Sequence, residues 1–242
     1  SRIASRIHLA FPEAKDWVPA ERAAVSGNPT RLSLRKADPV EARAVFDLPD
    51  DARVLLVMGG SLGSAAINGA VERHLETLLE RDDTCVVWQT GERYYDEIVD
   101  DVDEHPRLRI VKYIDQMGAA YAAADLVLCR AGALTCSELQ VTGTPAVLVP
   151  SPNVTADHQT KNARSMEQAG AAAVLPEPDL DARLGEVVTD LLDDLETLNE
   201  MTEAARERAR PDAAETIARD VLTLADSYRR RSNPTTTVST NG

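Results

Sequence analysis

Long apolar runs are missing from these 242 residues. Runs such as 54–58 and 146–149 fall far short of the roughly 20 residues that cross a bilayer. No basic segment followed by an apolar one opens the chain as a secretory leader would, so a soluble protein with no signal peptide to remove is expected. Basic charge is also scarce: 26 Lys and Arg stand against 40 Asp and Glu, for a net charge of -14. That balance excludes a phosphate-backbone ligand, and hence nucleic acid, as the expected partner, because such binding needs a surplus of cations. Lysine is the rarest cation. Only Lys15, Lys36, Lys112 and Lys161 occur, the other 22 basic residues being arginine. An acidic, lysine-poor surface suits solubility at high salt, where screening weakens self-repulsion; compositional drift accounts for it equally well. Cys85, Cys129 and Cys136 are an odd number with no CxxC spacing, which fits reduced thiols in a cytoplasmic protein. No metal-ligand cluster, Ser/His/Asp set or close carboxylate pair stands out, so neither a metal nor a cofactor is expected.

What is present is rhythm. Apolar residues make up 43% of the chain, enough for a real core. From residue 53 onward, short runs rich in Val, Leu and Ile at 53–58, 84–89, 107–111, 126–129, 146–149 and 171–174 read as strands. Their apolarity is continuous rather than alternating, which means burial on both faces, as in a parallel sheet. Amphipathic stretches at 64–80, 92–101, 117–124, 134–141 and 158–168 read as the intervening helices. The expected fold class is therefore α/β, a Rossmann-like parallel sheet with helices on both faces. Segments 7–11 and 23–26 suggest strands too few to close a second domain, and 38–46 a short helix with proline at its start. Acidic helices are expected at 179–198 and 202–228, the second broken by Pro211. The expected domain plan is a linker and domain remnant at 1–32, the sheet domain at 33–178, helices packing on it at 179–228, and a disordered tail at 229–242.

Four clusters fall at the ends of these strands or ahead of them. Gly59-Gly60-Ser61-Leu62-Gly63-Ser64 lies between a strand and a helix, where glycine admits a close backbone approach and the helix N-terminus attracts phosphate. It is neither G-x-G-x-x-G nor a P-loop, and a ligand-free tight turn is the alternative. Cys129-Arg130-Ala131-Gly132-Ala133-Leu134-Thr135-Cys136-Ser137-Glu138 opens another helix. Glu138, expected in its first turn, either complements the helix dipole or accepts ribose hydroxyls, two donors for two carboxylate oxygens. In Asp157-His158-Gln159-Thr160-Lys161-Asn162, the Gln159 amide donates and accepts and so can read sugar hydroxyls, while His158 at a helix start is a capping or binding residue. Gly27-Asn28-Pro29-Thr30-Arg31 puts a guanidinium after a turn, within reach of a phosphate unless the turn is merely surface. In an open parallel sheet the strand ends share one edge, where ligands bind; together the clusters describe a nucleotide-sugar site.

With Tyr113-Ile114-Asp115-Gln116-Met117 added, these motifs occur in the order and spacing of one family, over about residues 1–225. The chain resembles the MurG family of peptidoglycan transferases, which move N-acetylglucosamine from UDP-N-acetylglucosamine to undecaprenyl-diphosphate-muramoyl-pentapeptide (lipid I), giving lipid II. The resemblance implies the carboxyl-terminal, donor-binding half of an inverting, metal-free GT-B glycosyltransferase acting peripherally on the cytoplasmic face of the cell membrane. By it, Arg31 and Ser61 contact the diphosphate beside the glycines Gly59, Gly60 and Gly63, and Ile114 holds uracil through its backbone. Ala133, Leu134, Thr135, Cys136, Ser137 and Glu138 line nucleotide and sugar, with Glu138 on the ribose. Gln159, helped by His158, reads the N-acetylglucosamine. The family's amino-terminal domain, with its acceptor loop and proposed catalytic base, has no counterpart here, so no catalytic residue is expected in this chain and lipid I would be met through that domain. Two alternatives stay open: a donor-binding subunit of a split glycosyltransferase, and another GT-B member such as a UDP-N-acetylglucosamine 2-epimerase. Oligomeric state is not read from these residues.

Overall fold

The structure, a computed structural model, describes residues 3–154 and 157–232. The chain forms two compact units, one of residues 30–210 and one of 1–29 with 211–242. In the smaller unit, β1 (Ile7–Leu9) and β2 (Ala23–Val25) pair in parallel, Ile7 opposite Ala23 and Leu9 opposite Val25.

The larger unit begins with a 3-10 turn at Leu32–Arg35 and α1 (Pro39–Val45). Asp38 starts α1 by accepting the N–H groups of Val40 and Glu41, with Pro39 at the first helical position, where its missing N–H costs nothing. Then strands and helices alternate: β3 (Arg53–Met58), α2 (Ala65–Leu78), β4 (Thr84–Gln89), α3 (Tyr95–Asp101), β5 (Leu108–Val111), α4 (Met117–Ala123), β6 (Leu126–Cys129), α5 (Ala133–Thr142), β7 (Ala146–Leu148), α6 (His158–Gln168) and β8 (Ala173–Val174). All pairings are parallel, in the order β5-β4-β3-β6-β7-β8. The chain enters at the centre, builds outward through β4 to β5, then returns to the other side of β3. The reversal falls between β3 and β6, the point at which open α/β sheets bind ligands outside the carboxyl ends.

Continuous apolarity has the consequence expected of it. Every residue of β4 and β6 is buried, as are five of six in β3. Helix α2 packs against α7 (Leu180–Asp193), while α1, α4, α5 and α8 (Leu195–Arg208) pack on one another as a second layer. The core joins Leu55, Val57, Ile67, Trp88, Leu126 and Val147 to Leu184 and Val188 of α7. Within it, Trp88 Nε1 donates to Asn68 Oδ1 at 3.1 Å and Asn68 Nδ2 donates to the Thr90 carbonyl at 2.9 Å, pinning α2 to the end of β4.

The carboxyl-terminal segments depart from expectation. The apolar pattern suggested one helix over 179–198, yet α7 stops at Asp193. Asp194 accepts the Thr197 N–H at 3.0 Å and starts α8, which runs through the gap expected between the two helices. The second break, around Pro211, is where it was expected, and α9 (Ala213–Ser232) follows it. Helix α9 falls in the unit that contains β1 and β2, the compact units dividing at 29/30 and 210/211. It also continues past residue 229, where a disordered tail was expected to begin; the remainder of that segment lies outside the described residues. Among the described residues, no helix is long and apolar enough to cross a membrane.

Candidate functional site

At the end of β3 the chain turns sharply. Gly60 has φ +92° and Gly63 φ +75°, both in the region that glycine enters without Cβ strain. The Gly63 N–H closes the turn on the Gly60 carbonyl at 2.9 Å, and Gln89 at the end of β4 donates to the same carbonyl at 3.1 Å. A Cβ on Gly63 would sit 2.0 Å from the Thr90 carbonyl oxygen, so the loop is seated on β4. Ser61 is left exposed, and Ser64 caps α2 by accepting the Ile67 N–H. The N-terminus of α2 thus opens onto the sheet edge, an arrangement that favours anions.

The next strand in the sheet, β6, repeats the design. Gly132 is the N-cap of α5, accepting the Cys136 N–H at 2.9 Å. Between strand and helix, Arg130 reaches across the switch point. Its Nη2 donates to Ser64 Oγ at 2.7 Å and lies 2.5 Å from Glu177 Oε2; its Nη1 donates to the Val149 carbonyl at 3.3 Å. One guanidinium therefore ties the cap of α2, the end of β7 and the segment after β8. From α6, Asn162 Nδ2 donates to the Ala131 carbonyl at 3.0 Å, and one turn earlier Gln159 Oε1 accepts the Ser151 N–H at 2.9 Å. Gly59, Ser64, Arg130, Ser151, Gln159 and Glu177 line a cavity of about 450 Å³ at this edge. His158 is exposed beside it in sequence.

A second group adjoins α5. Glu138 was expected in the first turn, but α5 starts at Ala133, which puts Glu138 in the second. It therefore caps nothing. The Tyr121 hydroxyl of α4 donates to Glu138 Oε2 at 3.0 Å. Burial pushes the Glu138 carboxyl above its ordinary range, opposed by that hydrogen bond and by the Arg31 charge. Arg31 itself lines a cavity of about 440 Å³ with Ser33, Lys36, Asp115 and Gln116. Ile114, in the loop after β5, is buried beside exposed Tyr113.

Not every expected residue faces this edge. Ala133, Leu134 and Thr135 are partly or fully exposed at the start of α5, but Cys136 is completely buried and Ser137 nearly so. The Ser137 hydroxyl donates back to the Ala133 carbonyl at 2.9 Å, and burial pushes the Cys136 thiol up to about 12. Helical rotation turns these two side chains inward, away from the exposed start of α5. Burial raises the Cys129 thiol as well, and all three cysteines are free. Three residues of consequence went unassigned in the sequence. Arg130 was visible at a strand end, but nothing marked Glu177 as its partner, and Tyr121 sits in an alanine-rich run that reads as core.

Elsewhere the chemistry is weaker. In the smaller unit, His8 Nδ1 lies 3.2 Å from Ser26 Oγ and its Nε2 lies 3.7 Å from Asp220, yet Ser26 is buried and its hydroxyl donates to the Gly27 carbonyl. That hydroxyl holds backbone and presents no nucleophile. No group of three or more potential metal ligands occurs among the described residues. A cavity of about 500 Å³ lined by Asp125, Thr142, Thr144 and Arg206 lies before β6 and β7, at the opposite edge of the sheet.

Residues 54–217 match the glycosyltransferase family 28 C-terminal domain. The chain belongs to that family. A UDP-N-acetylglucosamine--N-acetylmuramyl-(pentapeptide) pyrophosphoryl-undecaprenol N-acetylglucosamine transferase from Salinibacter ruber is 74% identical over 95% of this chain, and the Bacteroides thetaiotaomicron protein of the same name 38% identical over 93%. The chain spans 62% of the length of each of these relatives. The crystal structure of Acinetobacter baumannii MurG superposes with a TM-score of 0.70 at 27% identity, covering 92% of this chain and 61% of that one. In this family 28 domain the Rossmann-like sheet is thus the one the sequence pattern implied, and its glycine turn and Arg130 lie within the matched residues.

Proposed function

We propose that residues 30–210 bind the donor of an N-acetylglucosaminyltransferase that moves N-acetylglucosamine from UDP-N-acetylglucosamine to lipid I, forming lipid II. One observation carries this reading: the helix N-termini of α2 and α5, Arg130 and the Gln159 amide converge at the carboxyl ends of the adjacent strands β3, β6 and β7, with Glu138 one turn farther along α5. The relatives named above are such transferases, which favours this reading over an epimerase or a separate donor-binding subunit.

In this reading the glycine turn at Gly59, Gly60 and Gly63 lets the diphosphate approach the N-terminus of α2, with Ser61 and Arg31 donating to it. The start of α5 at Ala133, Leu134 and Thr135 borders the nucleotide, Glu138 accepts ribose hydroxyls, and the main chain at Ile114 meets uracil. Gln159, beside His158, reads the sugar; because its Oε1 already accepts from Ser151, it serves chiefly as a donor there. As the bond from the anomeric carbon to the diphosphate oxygen breaks, negative charge grows on the leaving group. Fixed amide dipoles and the Arg31 guanidinium stabilise it without reorganising. The base that activates the acceptor hydroxyl lies, in this proposal, in the part of the relatives that this chain does not span, as does the contact with lipid I at the cytoplasmic membrane surface.

Calorimetric titration with UDP-N-acetylglucosamine, UDP-N-acetylgalactosamine and UDP-glucose tests the reading. Binding that favours the first, a preference erased by Gln159→Ala and a general weakening by Glu138→Ala are the expected results. Absence of UDP binding at millimolar ligand, or robust lipid II formation by this chain alone, would contradict it.

A further inference from the structure

The reading above leaves Glu138 with a difficulty. A glutamate in mid-helix has a flexible side chain, and burial here disfavours its charge. Something must hold the carboxylate in place for it to accept two neighbouring hydroxyls. Tyr121 is the group positioned to do so. It is 2% exposed on α4, where Ala120 and Ala123 are also buried, and its hydroxyl meets Glu138 Oε2 at 3.0 Å. A ring fixed by the core gives its hydroxyl one direction, so that donor sets the plane of the carboxylate.

We propose that Tyr121 is a positioning residue that orients the Glu138 carboxylate to select ribose over 2′-deoxyribose in the nucleotide, an inference that rests on the donor-binding reading of this site. A carboxylate has about four acceptor sites on two oxygens. Tyr121 occupies one on Oε2, which leaves Oε1 and the outer side of Oε2 for the adjacent 2′- and 3′-hydroxyls. Without the phenol the carboxylate rotates, and the contact with the 2′-hydroxyl is lost more often than it is made. Arg31, the cation acting on Glu138, supplies charge but no fixed direction, being exposed.

The test is a titration of the whole chain with uridine diphosphate and with 2′-deoxyuridine diphosphate, in wild type and Tyr121→Phe. A hydrogen bond to a charged acceptor implies that the wild type prefers the ribonucleotide about tenfold or more. In Tyr121→Phe the preference falls to about twofold, through weaker ribonucleotide binding, while deoxyribonucleotide affinity holds. Equal weakening of both ligands would mean that Tyr121 merely supports the α4–α5 packing, and an unchanged preference would mean that it does nothing for Glu138; either overturns the proposal with the donor reading intact. A wild type that binds neither nucleotide overturns the donor reading itself, and one that binds both equally removes the ribose role of Glu138. Should Tyr121→Phe fail to fold, Glu138→Asp withdraws the carboxylate from the phenol by one methylene and must lose the same preference; if it keeps it, the proposal falls.

Discussion

Two glycines of one turn make a matched experiment. Gly60 and Gly63 both have left-handed φ, +92° and +75°, so alanine at either imposes the strain of that region, about 1–2 kcal/mol. Part of it is offset because alanine also restricts the unfolded chain, by about 0.4–1 kcal/mol. Beyond this the sites differ. A Cβ at Gly60 meets nothing within 4 Å, whereas at Gly63 it would lie 2.0 Å from the Thr90 oxygen and 2.9 Å from the Tyr94 ring. The Thr90 carbonyl cannot simply retreat, because Asn68 donates to it and the Thr90 N–H is bonded to Val111 at 3.0 Å. Overpacking of this kind adds about 1–3 kcal/mol. Gly60→Ala is therefore expected to cost about 1 kcal/mol and Gly63→Ala about 2–4 kcal/mol. At roughly 2–4 °C per kcal/mol for a unit of this size, thermal denaturation followed by circular dichroism separates them by several degrees. Equal Tm losses, or a larger loss at Gly60, would refute the claim that the turn is seated on β4.

Other perturbations probe the same edge from different sides. Asn68→Ala strands two buried partners, Trp88 Nε1 and the Thr90 carbonyl, and should cost about 2–4 kcal/mol in urea unfolding read by Trp88 fluorescence; a loss under 1 kcal/mol would contradict the pinning role. Glu177→Gln leaves the Arg130 guanidinium without its charged partner, and since both side chains keep some solvent access, at 16% and 23% exposure, the expected cost is about 2 kcal/mol rather than that of a fully buried pair. Unchanged stability would show that the pair contributes nothing. Burial raises the Glu138 carboxyl, so relative to its ionised form this group's contribution to stability is full below the ordinary glutamate range and is lost as pH rises through the raised value. Nucleotide affinity moves the opposite way, rising with pH as the carboxylate forms, and Glu138→Gln should flatten that rise in a calorimetric pH series; a pH-independent wild type would contradict it.

The strands were legible because burial on both faces leaves an unbroken apolar run, and β3, β4 and β6 begin and end where those runs do. The convergence of the strand-end loops was legible for a related reason: parallel strands bring their following loops to one edge, so motifs distant in sequence become neighbours without any pairing being known. What stayed hidden depends on pairs. Arg130 with Glu177, Tyr121 with Glu138 and Trp88 with Asn68 join residues far apart, and each partner alone reads as an ordinary surface or core residue. Helix phase was the other loss. An onset at Ala133 rather than Leu134 places Glu138 in the second turn, and the burial of Cys136 follows from which face of α5 packs inward. The break at Asp194 was obscured because its cap lies within an acidic run, Asp193-Asp194-Leu195-Glu196, where no single carboxylate stands out.

The central claim is that one crevice, at the carboxyl ends of β3, β6 and β7, receives the nucleotide sugar. Titrating isotopically labelled protein with UDP-N-acetylglucosamine and following backbone amide shifts tests it most directly. The account predicts that the largest changes fall at Gly60, Gly63 and Ser64, at Ala133 through Thr135, and at Gln159. Changes centred instead on Asp125, Thr144 and Arg206, at the other edge of the sheet, would contradict it.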